Sequence, residues 1–463
     1  MIDGTFDVRV YSIERRTRAN GYTYKVVWKV GVKKHSKTYP TTALADAQRS
    51  ALLTAVKRGE PFSTETGMPI SYAGKAADTN WYDFAIEFID KKWPHFSANQ
   101  RKNVAKAMTP ATIALLRTPP KQFDPVKVRT ALREYAFNHK RRTNTEEAIP
   151  DEFRVILDWV QRNTLSMAAW EQSDRIDAVV TALGTRLDGT PSAASSVTRN
   201  RRIMNLAMEY AVRRGILRHN PLPKGKGSGG GAPKVAQAID KRSLLNTEQV
   251  TALLDWIGKR PRRGLIYRAF FATLCYAGLR PEEAVALRVG DAALPETGWG
   301  EFIVHEARPE VGSQWTDSGK PHDDRDLKGR AVGDTRTVPI HPDLVAFLRE
   351  IIDRYKLQPT DLLFPGENGG MLAGSVFRRV WEKARKIVLK PHEYRSPAGK
   401  RVYDCRNTCL TAWLNKGIPP AQVAEWAGNS VPVLLATYAR CINGQLASYQ
   451  KQMESIRYVP ETA

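Results

Sequence analysis

Residues 265–287 read LIYRAFFATLCYAGLRPEEAVAL. The run from Leu265 to Ala277 is strongly apolar, and Gly278 follows at once. That pattern predicts a buried helix ended by a glycine, the residue that turns the chain at a helix C-terminus without steric cost. Pro281 carries the fixed φ of a first helical residue and opens the next helix. Arg280 therefore falls at a junction between two helices, where its side chain can face a ligand.

Two later segments have the same flavour. One is Tyr403-Asp404-Cys405-Arg406-Asn407-Thr408. The other is Trp426-Ala427-Gly428-Asn429-Ser430, followed by Thr437-Tyr438-Ala439-Arg440. Arg406 precedes Tyr438 by 32 residues and Asn429 precedes it by nine. Cutting a phosphodiester without a metal needs a nucleophile and cations that neutralise the phosphorane as it forms. Two arginines suit the second task, because each guanidinium is a planar fork of donors matched to phosphate oxygens. A tyrosine hydroxyl suits the first, since its phosphate ester retains the free energy of the broken bond and rejoining needs no ATP.

In this order and spacing the three segments resemble the tyrosine recombinase (phage integrase) family. The resemblance covers roughly residues 245–445 and implies the following roles. Arg280, in Ala277-Gly278-Leu279-Arg280, is the first catalytic arginine, and Glu283 is the acidic residue that supports it. Arg406 is the second arginine, Tyr438 the nucleophile. Tyr403 stands where the family more often has histidine, and Asn429 where it has histidine or tryptophan. A tyrosine still hydrogen-bonds a phosphate oxygen, and an asparagine amide still donates to one, but the amide carries no proton to a leaving group at neutral pH. Val402-Tyr403-Asp404 is similar to the matching segment of some actinobacterial phage or integrative-element integrases. The catalytic lysine of the family lies on a hairpin before a strand such as Arg336-Thr337-Val338-Pro339-Ile340. Lys328 matches it best, with Lys320 as the alternative, and its implied role is to protonate the leaving oxygen. His392-x-x-Arg395 has the right internal spacing but lies 46 residues before Tyr438, counted from the histidine, too far for the pattern.

Outward from this core, the chain reads as multidomain α+β. Residues 1–62 predict a small three-stranded sheet plus a helix. Val8, Val10 and Ile13 start one run, Asn20-Gly21 signals a hairpin, Tyr22, Tyr24, Val26 and Trp28 alternate, and a third run spans Val32 to Tyr39. Thr41-Thr42 caps a helix whose expected apolar face is Leu44, Ala47, Ala51 and Val56. Residues 1–60 hold 12 Lys/Arg against 5 Asp/Glu. Arg9, Arg15, Arg16, Arg18, Lys25 and Lys29 would let the sheet lie in a DNA groove; a basic sheet docked on the next domain is the alternative. Residues 63–78 read as a linker, and 79–221 as an all-helical domain with Asn80 as a cap and Trp81, Phe84, Ala85, Phe88 and Ile89 on one face. Residues 222–240 are a Gly/Lys-rich linker in which Lys224 and Lys226 either follow a phosphate backbone or are simply solvated. Residues 241–463 read as a mostly helical catalytic domain. Thr247 caps its first helix, and strand-like runs at Phe302–Val304 and Thr337–Ile340 form a small antiparallel sheet.

The 463 residues hold 71 Lys+Arg against 48 Asp+Glu, a net charge of +23 and a pI near 9.8. A chain this basic points to nucleic acid. The cysteines, Cys275, Cys405, Cys409 and Cys441, include no C-x-x-C pair, so neither a zinc site nor a disulfide framework is expected. No apolar signal core opens the chain and no stretch of about 18 apolar residues occurs in it, so a soluble, intracellular protein is expected, and the family resemblance implies the bacterial cytosol and the nucleoid. The family resemblance implies further that the chain integrates or excises a mobile element, without a metal or nucleotide cofactor. It implies a homotetramer on double-stranded DNA attachment sites of core and arm type. A host DNA-bending protein and a directionality factor are partners it also implies. A type IB topoisomerase and a non-catalytic DNA-binding descendant of an integrase are the alternatives.

Overall fold

The computed structural model describes residues 4–18, 21–70, 76–144, 146–223, 238–327, 331, 333–438, 450 and 453–454. The chain divides into two compact units, Met1–Lys226 and Gly227–Ala463. Lys224, Lys226, Lys328, Cys441 and the side chain of Arg18 lie outside the described residues.

In the first unit, strands β1 (Val8–Val10), β2 (Glu14–Arg18), β3 (Gly21–Val30) and β4 (Lys33–Tyr39) form one antiparallel sheet. β3 is central. β4 pairs along one edge of it, while β1 and β2 pair in tandem along the other. The expected three-stranded sheet is thus present with one edge strand broken into two. Side chains alternate between faces along a strand. Tyr24, Val26, Trp28 and Val30 accordingly point one way, and the last three are buried with Ala45, Leu52, Phe62 and Met68. Arg9 lies opposite Lys29, and Arg16 opposite Thr23, so both share the other face with Lys25 and Lys29. Arg15 lies opposite Tyr24 and stacks its guanidinium on the Tyr22 ring at 3.6 Å. Strand parity therefore sets Arg15, which is exposed, on the side of the sheet opposite Arg9, Arg16, Lys25 and Lys29.

Helix α1 (Thr42–Lys57) is capped by Thr41, whose hydroxyl accepts from the Leu44 amide. It buries Ala45, Leu52 and Ala55, whereas Leu44 is exposed. The face expected from the sequence is off in phase: Leu52 is buried instead of Leu44, Ala47 is exposed, and of the expected residues Val56 packs partly against the core. The rest of the unit is helical. α2 (Trp81–Lys92) starts at Asn80, whose side chain accepts from Tyr82 N, as expected. It packs Trp81, Phe84 and Phe88 into a core shared with α3 (Ala98–Ala114), α4 (Asp151–Asn163), α5 (Ser173–Gly184) and α6 (Ala194–Arg213).

The second unit is built around α8 (Gly264–Tyr276), which follows α7 (Thr247–Gly258). α8 buries Ile266, Tyr267, Phe270, Phe271 and Leu274, so it is apolar nearly all round, as a central helix must be. Asn246, not Thr247, caps α7: its side chain and that of Gln249 exchange hydrogen bonds with each other's backbone. Next come α9 (Pro281–Ala284), β5 (Gly300–Val304) and β6 (Arg336–Ile340), the two strands pairing antiparallel with Arg336 opposite Val304. α10 (Pro342–Tyr355), α11 (Gly374–Val388), α12 (Tyr403–Asn415), α13 (Pro420–Ala427) and α14 (Val431–Tyr438) complete it. α7, α10 and α12 all pack on α8.

Candidate active site

The turn after α8 sets the geometry. Gly278 has φ +62° and stands where an added Cβ would lie 3.0 Å from Leu410 and 3.3 Å from Cys409 Sγ. Lacking a side chain, it lets α12 pass close by. Arg406, on that helix, then donates to the Gly278 carbonyl and, at 2.7 Å, to the Ala427 carbonyl. Its side chain is fully buried and its Nε has no hydrogen-bond partner.

Arg280 follows two residues after Gly278. Its Nη1 donates to Glu283 at 2.7 Å. Its Nη2 donates to the Gly428 carbonyl and to Asn429 Oδ1, both at 2.8 Å. The Asn429 carbonyl oxygen is thus occupied by the arginine, which leaves the amide NH₂ as the group available to a ligand. Glu283 is 1% exposed and takes a second arginine, Arg336, at 3.2 and 2.8 Å. Burial alone would push its carboxyl up, but Arg336 and Arg280 outweigh that and hold it down at about 2. One carboxylate between two guanidiniums leaves a net positive charge facing the site.

Sequence reading missed Arg336. The signal was available: Arg336, Val338 and Ile340 alternate inward on β6, and a charged residue on the buried side of a strand calls for a partner. Gly428, at φ +61°, completes the contact, since a Cβ there would come within 2.5 Å of Arg336 Nη1.

Tyr438 ends α14. It is 2% exposed and packs with Leu410, Leu414, Val423, Ala427 and Leu434. Burial pushes its hydroxyl well above the ordinary tyrosine range, against the pull of Arg406 and Arg280, whose charges reach it. The hydroxyl donates to Asn407 Oδ1 at 3.0 Å. Asn407 donates in turn to Asp404 at 3.1 Å. Asn407 is the second residue that sequence reading missed: 31 positions separate it from Tyr438, and no local pattern links them. Tyr403 is partly exposed, with the Arg406 guanidinium 5.9 Å from its ring centre. It borders a cavity of 610 Å³ rimmed by Arg308, Arg378, Lys400 and Arg401.

The expected residues Arg280, Glu283, Arg406, Asn429 and Tyr438 thus come together, with Tyr403 at the edge of the group. His392 and Arg395 do not join them; they are exposed on a short helix, Pro391–Arg395, where Arg395 donates to Pro391 O. Lys320 is exposed and borders a different cavity with Arg288 and His322. The described residues contain no cluster of side chains able to hold a metal ion. Cys275, Cys405 and Cys409 are free thiols.

No protein-family model and no curated protein matches this chain. Solved structures do. The Tn1549 transposon integrase (residues 82–397), in complex with circular intermediate DNA, is 16% identical with a TM-score of 0.42, over 67% of this chain and 95% of that one. XerH site-specific recombinase, bound to palindromic difH substrate in a post-cleavage complex, is 15% identical with a TM-score of 0.43, over 76% and 96%. A lambda integrase (75–356) dimer bound to a COC′ core site is 11% identical with a TM-score of 0.37, over 62% and 91%. These three structures are of site-specific recombinases and integrases.

Proposed function

We propose that this chain is a site-specific DNA recombinase of the tyrosine type, cleaving and rejoining DNA through a 3′-phosphotyrosyl intermediate. The observation that carries this reading is the convergence of Arg280, Arg406 and Tyr438, from three separate segments, with the tyrosine hydroxyl inside the field of both guanidiniums of its own chain. Tyr438 attacks the scissile phosphorus, and the two arginines neutralise the phosphorane. Asn429, its oxygen anchored on Arg280, offers its amide hydrogens to a phosphate oxygen. Tyr403 offers its hydroxyl from the rim. Lys328, by its place in the sequence, protonates the leaving oxygen.

Cations elsewhere fit a long polyanion. The sheet face carrying Arg9, Arg16, Lys25 and Lys29 suits a second DNA segment, which gives residues 1–62 an arm-type role. Arg16 there is partly engaged by Glu14 at 3.0 Å. On the helical part, Lys106 is held below the usual lysine range by burial and by the nearby charges of Lys102, Arg133 and Arg199. Such a concentration of like charge invites phosphate, which gives residues 79–221 a core-DNA-binding role. Residues 241–463 then form the catalytic domain. A homotetramer on paired attachment sites, a host DNA-bending protein and a directionality factor complete the proposed assembly. Among the described residues no helix is long and apolar enough to cross a membrane.

The test is covalent capture. Full-length protein is incubated, with a metal chelator present, with a pool of nicked duplexes of randomised sequence. The reading predicts denaturant-resistant protein–DNA adducts enriched for a defined sequence. Tight binding with no adduct would leave a DNA-binding protein only. Site-independent relaxation of supercoiled DNA would point to a topoisomerase.

A further inference from the structure

Arg280, Arg406 and Tyr438 are all engaged by groups of the protein itself. Arg406 is fully buried against the Gly278 and Ala427 carbonyls. Arg280 is held by Glu283, Gly428 and Asn429. Tyr438 is 2% exposed, and its one hydroxyl proton points at the Asn407 amide oxygen. That amide is not free to drift. Its NH₂ is held by Asp404, which is 1% exposed and accepts from Arg401 at 2.8 Å through Nη2 and at 2.9 Å through the backbone N–H. A continuous chain thus runs Arg401–Asp404–Asn407–Tyr438. Its inner end is the nucleophile. Its outer end, Arg401, keeps its side chain 68% exposed on the rim of the cavity beside Tyr403.

An amide oxygen is not a base. It accepts the phenol's hydrogen bond without taking the proton, so the hydroxyl it holds stays neutral and fixed inside the protein, where Tyr438 is 2% exposed. We propose that Asn407 is a positioning residue, a latch that parks Tyr438 until a DNA phosphate is in place, with Arg401 as the solvent-side anchor that DNA displaces. The proposal rests on the reading of Tyr438 as nucleophile and adds what keeps it idle. The physical advantage is selectivity: a recombinase whose tyrosine is free would nick DNA at sequences it should leave intact. Arg401 is suited to respond, because a phosphate competes with Asp404 for the same guanidinium fork. Once the Arg401 side chain is drawn off, Asp404 keeps only the Arg401 backbone N–H beside the Asn407 amide, and the carboxylate that positions the amide is less firmly fixed.

The test compares wild type with Asn407→Leu, which keeps the shape and removes the acceptor, and with Asn407→Gln, which restores a donor and an acceptor one bond further out. Adduct formation is measured on two nicked duplexes: the sequence enriched from the randomised pool and a scrambled control. Asn407→Leu should raise adducts on the scrambled duplex by about 3–10-fold, the range that one hydrogen bond sets. Asn407→Gln should return the rate toward wild type. A folded Asn407→Leu with unchanged or slower cleavage on both duplexes overturns the latch. Because the leucine variant has a buried site to fill, a second measurement uses the wild-type sequence with 3-fluorotyrosine incorporated at position 438. Its ¹⁹F resonance should shift when the enriched duplex is added and stay put with the scrambled one; an identical response to both also overturns the proposal. If neither wild type nor Asn407→Leu gives an adduct, the nucleophile assignment fails and the latch falls with it, whereas the outcomes above overturn the latch alone.

Discussion

Glu283 is the residue on which the site's electrostatics turn. It is buried and accepts four hydrogen bonds, two from each of two arginines. Replacing it with glutamine leaves two guanidiniums facing each other with no counter-charge, a change that costs about 3–5 kcal/mol for a broken buried pair. The pH dependence has a definite sign. The folded carboxyl sits at about 2, below its ordinary value of 4.5, so its stabilisation is complete above the ordinary value and is lost as pH falls towards 2. Urea midpoints of wild type and Glu283→Gln should therefore differ most at neutral pH and converge on acidification. Equal midpoints at neutral pH would mean that Glu283 carries no such load. The arginines themselves act at the transition state. Arg280→Ala or Arg406→Ala should lower cleavage by about 10²–10³-fold, while DNA affinity, spread over many phosphate contacts, changes far less. Arg280, Arg406, Asn429 and Tyr438 were all legible from motif order. Arg336 and Asn407 were not, because their partners are distant in sequence and only the packing of β6 and α12 brings them near.

At the scale of elements, two turns and a short helix place the chemistry. Gly428 closes α13 in a left-handed conformation with Arg336 where a side chain would be. Gly428→Ala should destabilise the protein by about 1–3 kcal/mol, through backbone strain and crowding together, and should lower cleavage as Arg280 and Asn429 shift. Thermal unfolding and adduct yield measure the two effects; an alanine variant that matches wild type in both would show that the turn has slack. α14 is held mainly by Leu434 and Tyr438. Leu434→Ala should loosen that helix more than the rest, seen as faster amide exchange over 431–438 than in α8. Uniform exchange would mean that other contacts hold it. Elements were predictable where periodicity was strong. The apolar α8, the glycine stop at 278 and the β5–β6 pair all lie where the sequence put them. Phase was less legible: α1 carries apolar residues on more than one face, and it is Leu52, with Ala45 and Ala55, that is buried.

For the whole molecule, the charge of +23 implies DNA affinity that falls steeply with salt, by roughly 0.9 in log affinity per log salt for each phosphate neutralised. Strand parity refines where those phosphates go. Reversing Lys25 and Lys29, which share the sheet face opposite Trp28, should reduce the salt slope of the full-length protein, whereas Arg15→Ala, whose guanidinium is stacked on Tyr22 on the other face, should leave the slope unchanged. The opposite ranking would place DNA elsewhere. The most direct measurement concerns the bond itself. Denaturant-resistant adducts of the full-length protein are digested with nuclease and protease, and the phosphoryl-linked peptide is identified by mass spectrometry. The linkage is expected on Tyr438 alone, and Tyr438→Phe should bind the enriched duplex yet yield no adduct. A nucleotide attached to Tyr403 or to any other tyrosine, or an adduct that survives in Tyr438→Phe, would contradict the assignment of this tyrosine as the nucleophile.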